Sequence, residues 1–246
     1  MKKNNLILLT ALLTTSLGIG TGISYATTYE DATKVTTEGK VTILENDSSN
    51  PVVPDPENPD DELTPEEPTN PHPGLLRINY VSNFDFGQIK NVSHAIEQKA
   101  RLDNVWIDGE EVARVPFVAT EDRRGSERLG WELQVSQPNQ LTDESGHELN
   151  GATITLTGLR YVNSTDATPV VNQNAIVLGQ AAQSLATADA TQGAGAWALA
   201  LGKSNGEGHT DGVVLRIPAN TTANNTEYST EIVWELVADP TTGIGG

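Results

Sequence analysis

The run 231–240 alternates large apolar with polar or smaller residues, the period-2 signature of a strand with one covered face. Ile232, Trp234, Leu236 and Ala238 fall on one side of it, and Pro240 then forbids further ladder pairing. About a hundred residues earlier, Gly130-Trp131-Glu132-Leu133-Gln134-Val135 repeats the pattern: Trp131, Leu133 and Val135 share one face, Glu132 and Gln134 the other. A third copy, with Trp197 and Leu199, occupies 196–201. Three of the chain's 4 tryptophans therefore open a Trp-x-Leu strand.

Shorter runs with the same period surround these three. Leu76, Ile78 and Tyr80 alternate, 105–107 and 112–119 are strand-like, and Ile154 and Leu156 mark a strand over 152–159 that Tyr161-Val162 continues. Val213, Leu215 and Ile217 form another, ended by Pro218. Asp108-Gly109, Asn205-Gly206 and Asn224-Asn225 supply turn signals between them. Residues 88–102 are ambiguous, with Ile89, Val92 and Ile96 suggesting a weak helical turn or a loop; 170–178 is mixed, and 184–195 reads as a small-residue loop. Many short strands separated by Gly, Asn and Pro turns predict an all-β domain, a single β-sandwich or barrel-like fold spanning 75–246.

The pattern changes before residue 75. Lys2 and Lys3, an apolar run over 6–23 and Ser24-Tyr25-Ala26 have the layout of an export signal spanning 1–26, with cleavage expected after Ala26. Residues 27–74 read as a disordered, acidic, Pro-rich linker in which prolines from Pro51 to Pro73 alternate with Asp and Glu, a composition that favours extended polyproline II. Within it, 33–44 is expected to form a short strand or to fluctuate. The acidic pairs lack the spacing and turn glycine of an EF-hand loop.

Charge and cysteine content narrow the function. The formal net charge is -18, and loss of the two signal lysines makes the exported chain about two units more negative. This opposes nucleic-acid binding and non-specific adsorption to anionic lipid or polyanionic wall polymers, so that wall attachment would need a specific site or a partner. With 0 cysteines, an exported fold of this size must be held by its core alone. No Leu-Pro-x-Thr-Gly sorting signal with a hydrophobic tail is present, so attachment to a surface is expected to be non-covalent.

Catalytic chemistry finds little support. His72, His94, His147 and His209 sit among polar or Gly residues with no metal-ligand spacing, and there is no Gly-x-Ser-x-Gly elbow. Gly193-Ala194-Gly195 precedes a strand rather than a helix, so it is no phosphate loop. The expectation is a non-enzyme without metal or cofactor; a glycan-active enzyme using paired carboxylates is the competing reading. Each tryptophan on its alternating strand is expected to pack in the core, the alternative being an aromatic surface for sugar rings.

Taken together the motifs resemble those of WxL-domain proteins of low-GC Gram-positive bacteria. Leu76-Arg77-Ile78 followed by Phe84-Asp85-Phe86-Gly87 resembles the family's opening. Asp122-Arg123-Arg124-Gly125 with Gly130-Trp131-Glu132-Leu133 resembles its first Gly-Trp-x-Leu motif, and Gly193-Ala194-Gly195 with Trp197-Ala198-Leu199 its middle strand. Trp234-Glu235-Leu236 and Ala238-Asp239-Pro240 resemble the closing motif, with Asp239 inserted between Ala and Pro. The resemblance implies a secreted protein that associates non-covalently with the cell wall by binding peptidoglycan. Its implied partners are other WxL proteins, a membrane-anchored WxL-interacting protein and, for some members, host matrix proteins. It also implies an alternative, a structural subunit or adhesin held by that membrane-anchored partner. Trp131, Leu133, Trp234 and Leu236 are the implied wall- or partner-binding motif, with Trp197 and Leu199 a third. Trp131 and Trp234 are expected close together across the sheet core.

Overall fold

The computed structural model describes residues 28–29, 32–37, 39–44, 50–162 and 164–240. The export signal expected over 1–26 lies outside the described residues. Two compact units divide the chain, Met1–Glu45 and Asn46–Gly246. In the first, β1 (Thr28–Tyr29) pairs antiparallel with β2 (Val35–Thr36), and Val41, Ile43 and Leu44 are exposed.

The second unit is all-β, and every pairing in it is antiparallel. Its first strands are β3 (Thr64–Pro65), β4 (Leu76–Val81), β5 (Ile96–Arg101), β6 (Asp103–Ile107), β7 (Glu110–Arg114), β8 (Phe117–Asp122) and β9 (Gly130–Ser136). Four short strands follow: β10 (Thr153–Leu156), β11 (Leu159–Arg160), β12 (Val170–Val171) and β13 (Ile176–Val177). The last four are β14 (Gln183–Asp189), β15 (Gly195–Leu201), β16 (His209–Ile217) and β17 (Val233–Ala238). Three sheets have four strands each, ordered β13-β10-β16-β5, β11-β15-β8-β4 and β12-β14-β9-β17; the fourth is β3-β6-β7.

Two apolar cores explain the layering. Trp131, Leu133, Leu156, Leu185, Leu199 and Leu201 belong to the larger, which draws on all three four-stranded sheets. Val53, Leu63, Tyr80, Val105, Phe117 and Ala198 belong to the smaller, where the three-stranded sheet meets the sheet of β4, β8 and β15. Val118 of β8 enters the first core while Phe117 and Ala119 enter the second, so that strand is buried on both faces along its whole length. At the β6–β7 hairpin, Asp108 and Gly109 have φ of 52° and 85°, the type I′ geometry that the Asp-Gly pair signals.

Four expectations need correction. Residues 50–74 are not a solvated linker, and the fold begins well before Leu75. Val53 and Leu63 are buried, Leu63 N–H donates to Val53 O at 2.9 Å, and β3 pairs with β6. The Asp55 carboxylate is fully buried and accepts from Arg114 Nε at 2.7 Å and Nη2 at 2.7 Å, while Asn79 Nδ2 holds Val52 O at 2.7 Å. A short buried run at 53–56, buried Leu63 and Pro65, and the Asp55–Arg114 ion pair fasten a strap whose average composition is that of a spacer.

Residues 88–95 are loop, but 96–101 form β5 rather than a helical turn or loop, because pairing with β16 places Ile96 opposite Ile217 and Gln98 opposite Leu215. The strand-like run 112–119 is broken at Pro116 into β7 and β8, which lie in different sheets. The first half of 184–195 belongs to β14 and only 190–194 form a loop. Ala188 lies opposite Trp131 and Ala186 opposite Leu133, so the small side chains make room for the large ones facing them.

Asp55→Asn removes the charge that Arg114 answers and is expected to loosen the strap by about 2 kcal/mol, the scale of a charge-assisted hydrogen bond. Limited proteolysis should then cut first within 50–74; resistance equal to the parent chain would contradict the ion pair's anchoring role.

Candidate functional site

The first and last tryptophan motifs interlock. β17 runs antiparallel to β9 with Ala238 opposite Trp131, Leu236 opposite Leu133 and Trp234 opposite Val135. Directly opposed residues share a face, so both motifs face the larger core. The two leucines meet at the centre, and the indoles stand at opposite ends, four positions apart along the ladder and roughly 13 Å at strand rise. They share a surface without touching across it.

Trp131 is 1% exposed, and its indole N–H donates to Gly193 O at 3.1 Å. The backbone around it admits only glycine. Gly193 has φ +68°, and a Cβ there would lie 2.6 Å from Trp131 Nε1; at Gly130, φ +110°, it would lie 2.0 Å from Ala188 O. The glycine-rich approach to Trp197 thus serves the tryptophan of another strand.

Arg124 ties the motif flanks together. It makes two parallel bonds to the buried Asp122 carboxylate, both at 3.0 Å, and donates to Gly130 O at 2.6 Å and to Asp239 Oδ1 at 2.9 Å. Asp239, at φ 49°, also receives Leu129 N–H at 3.1 Å and returns its own N–H to Gly130 O at 3.0 Å. Hydrogen bonding to Asp122 raises the Arg124 pKa above its ordinary value. The residue inserted before Pro240 is therefore the clamp that closes β17 against β9.

Trp234 is different in kind. It is half-buried, stands edge-on to Phe84 with ring centroids 6.1 Å apart, and lines an open groove of about 1490 Å³. Two long irregular segments, 82–95 and 218–232, flank the groove, and they meet where Asn91 Nδ2 donates to Ala223 O at 3.1 Å. Loops of this length inside a compact domain usually carry function.

The second loop is pinned from below. Asp143 accepts from Asn224 Nδ2 at 2.7 Å, from Ser145 Oγ at 2.7 Å and from His147 N–H at 2.9 Å. These donors, Asn224 first, hold its carboxyl well below the usual carboxylate range. Tyr228 Oη accepts Asn224 N–H at 2.8 Å and lies 2.9 Å from His147 Nδ1. The third motif lies elsewhere: Trp197 and Leu199 sit on β15, opposite Thr120 and Val118 of β8, and the Trp197 ring stands edge-on to Tyr161 at 5.7 Å.

The hydrophobic pattern points to the tryptophans but not to Phe84 and Tyr228 as neighbours of one groove, nor to Asp143 as the anchor of its second loop. The long gaps between periodic runs at 82–95 and 218–232 were the available signal. Among the described residues, no group of three or more His, Asp or Glu is disposed to hold a metal ion, and no helix is long and apolar enough to cross a membrane.

The domain is an all-β fold closed by two interlocked Trp-x-Leu strands, with an aromatic groove beside the second. The family described as WxL domain, surface cell wall-binding, matches residues 30–240, and the chain belongs to it. No curated protein and no solved structure matches the chain. The protein is thus a cell-surface protein that associates with the cell wall.

Proposed function

We propose that this protein is a non-catalytic wall-binding module that holds peptidoglycan in the groove beside Trp234. The carrying observation is the contrast between the two interlocked tryptophans. Trp131 is sealed and hydrogen-bonded, whereas Trp234 is half-buried at the wall of an open groove between two long loops. Aromatic side chains with one face available stack well on the C–H faces of sugar rings. In this reading Trp131, Leu133 and Leu236 set the frame, and Trp234 with Phe84 makes the contact.

Trp234→Ala is expected to leave the β-sheet circular dichroism signal intact while reducing pelleting with washed, protein-stripped sacculi by roughly tenfold, the loss of one stacking contact. Undiminished pelleting of a folded variant would remove Trp234 from the site. If the parent protein stays soluble with bare sacculi, the alternative gains: a structural subunit or adhesin held by a membrane-anchored WxL-interacting protein, with other WxL proteins or host matrix proteins as partners. Release of reducing ends from sacculi would instead favour a glycan-active enzyme.

A further inference from the structure

The groove beside Trp234 is close to charge-neutral in a protein of formal charge -18. Of the ionised side chains that line it, Asp85 is paired with Arg101 at 3.0 Å, leaving Lys90 and Glu227 as one charge of each sign. Amides and hydroxyls form the polar part of the lining, among them Asn83, Gln88, Asn225, Thr226 and Thr230. The groove also reaches Leu141, Leu149, Ile154 and Leu215 of the larger core, each at most 5% exposed.

A ligand that fills such a space must itself be uncharged and must alternate apolar and hydrogen-bonding groups. Polymers of phosphate or carboxylate would bring many anions to a single lysine. A 2-acetamido sugar fits better: its C–H face suits Trp234 and Phe84, its amide can pair with Asn and Gln side chains, and its methyl group can rest on apolar carbon. A free amino sugar differs by one group, but that group is an ammonium, which loses hydration over an apolar floor.

We propose that the groove recognises the N-acetyl group of wall amino sugars, so that de-N-acetylation of the wall glycan releases the protein. This rests on the wall-glycan reading of the groove given above. Simple electrostatics predicts the opposite preference, since an acidic protein attracts a polycationic deacetylated glycan. The sign of the effect therefore separates recognition from adsorption.

The test titrates the purified protein, by tryptophan fluorescence, with matched β-1,4-linked oligomers of N-acetylglucosamine and of glucosamine at ~0.15 M salt, where distant charges are screened. The same protein is pelleted with sacculi that have been either chemically N-acetylated or de-N-acetylated. The expected result is about tenfold tighter binding of the acetylated oligomer, equivalent to 1.4 kcal/mol, with matching retention on acetylated sacculi and loss of both in folded Trp234→Ala. Equal or tighter binding of the amine oligomer, or equal retention on the two sacculi, overturns the inference while leaving wall binding intact. Failure to pellet with either sacculus overturns the wall reading, and this inference with it.

Discussion

Replacing Arg124 by alanine is expected to destabilise the domain by roughly 3–5 kcal/mol, the cost of leaving a buried charge without its partner. The Asp122 carboxylate is fully buried and answered by two guanidinium nitrogens; without them it keeps only the backbone N–H of residue 124 at 3.0 Å and loses its countercharge. The same side chain also caps Gly130 O and reaches Asp239, so its loss slackens the hold of β17 on β9. Arg124→Lys keeps the charge but cannot make the planar two-point contact together with the other two, and should recover only part of the loss. Urea unfolding followed by tryptophan fluorescence reads the effect. A midpoint shift worth less than about 1 kcal/mol for the alanine variant would show that the cluster is peripheral.

Trp131→Ala should cost as much, roughly 3–5 kcal/mol, because a buried indole leaves a void that rigid strands cannot fill. Trp131→Phe separates volume from hydrogen bonding: it keeps most of the ring but orphans Gly193 O, at about 1–3 kcal/mol. Gly193→Ala approaches the same lock from the other side. Its new methyl would stand 2.6 Å from the indole nitrogen, at a φ of +68° that alanine resists. All three variants are expected to lose thermal stability in parallel, and none should lower sacculus binding while it remains folded. A folded Trp131→Phe protein that no longer pellets would make the first tryptophan part of the binding surface.

The strands with clean alternation were legible because one face meets core and the other does not: Trp131, Leu133 and Val135, or Ile154 and Leu156, announce themselves. What stayed hidden is the part whose logic lies in a partner far along the chain. Ala186 and Ala188 look like loop residues until Leu133 and Trp131 are placed opposite them. Asp55 looks like one more solvated acid until Arg114 arrives from a strand 59 positions later. Asp239 looks like a slip in a motif until Arg124 reaches it. The groove was the least legible feature: Trp234 comes from a strand with clean alternation, but Phe84 and Tyr228 reach it from separate irregular segments that carry no period at all.

The pairing of β17 with β9 joins Ala238 to Trp131 and Val233 to Ser136, so the central ladder closes only when residues roughly a hundred positions apart find each other. Chains dominated by such distant pairings fold slowly, on a scale of roughly milliseconds to seconds. A polypeptide leaving a translocation channel N-terminus first presents β9 long before its mate. Strand β9 can pair with β14 on one side, but its other edge stays open until the final Trp-x-Leu strand emerges, so that edge is the last of the ladder to close.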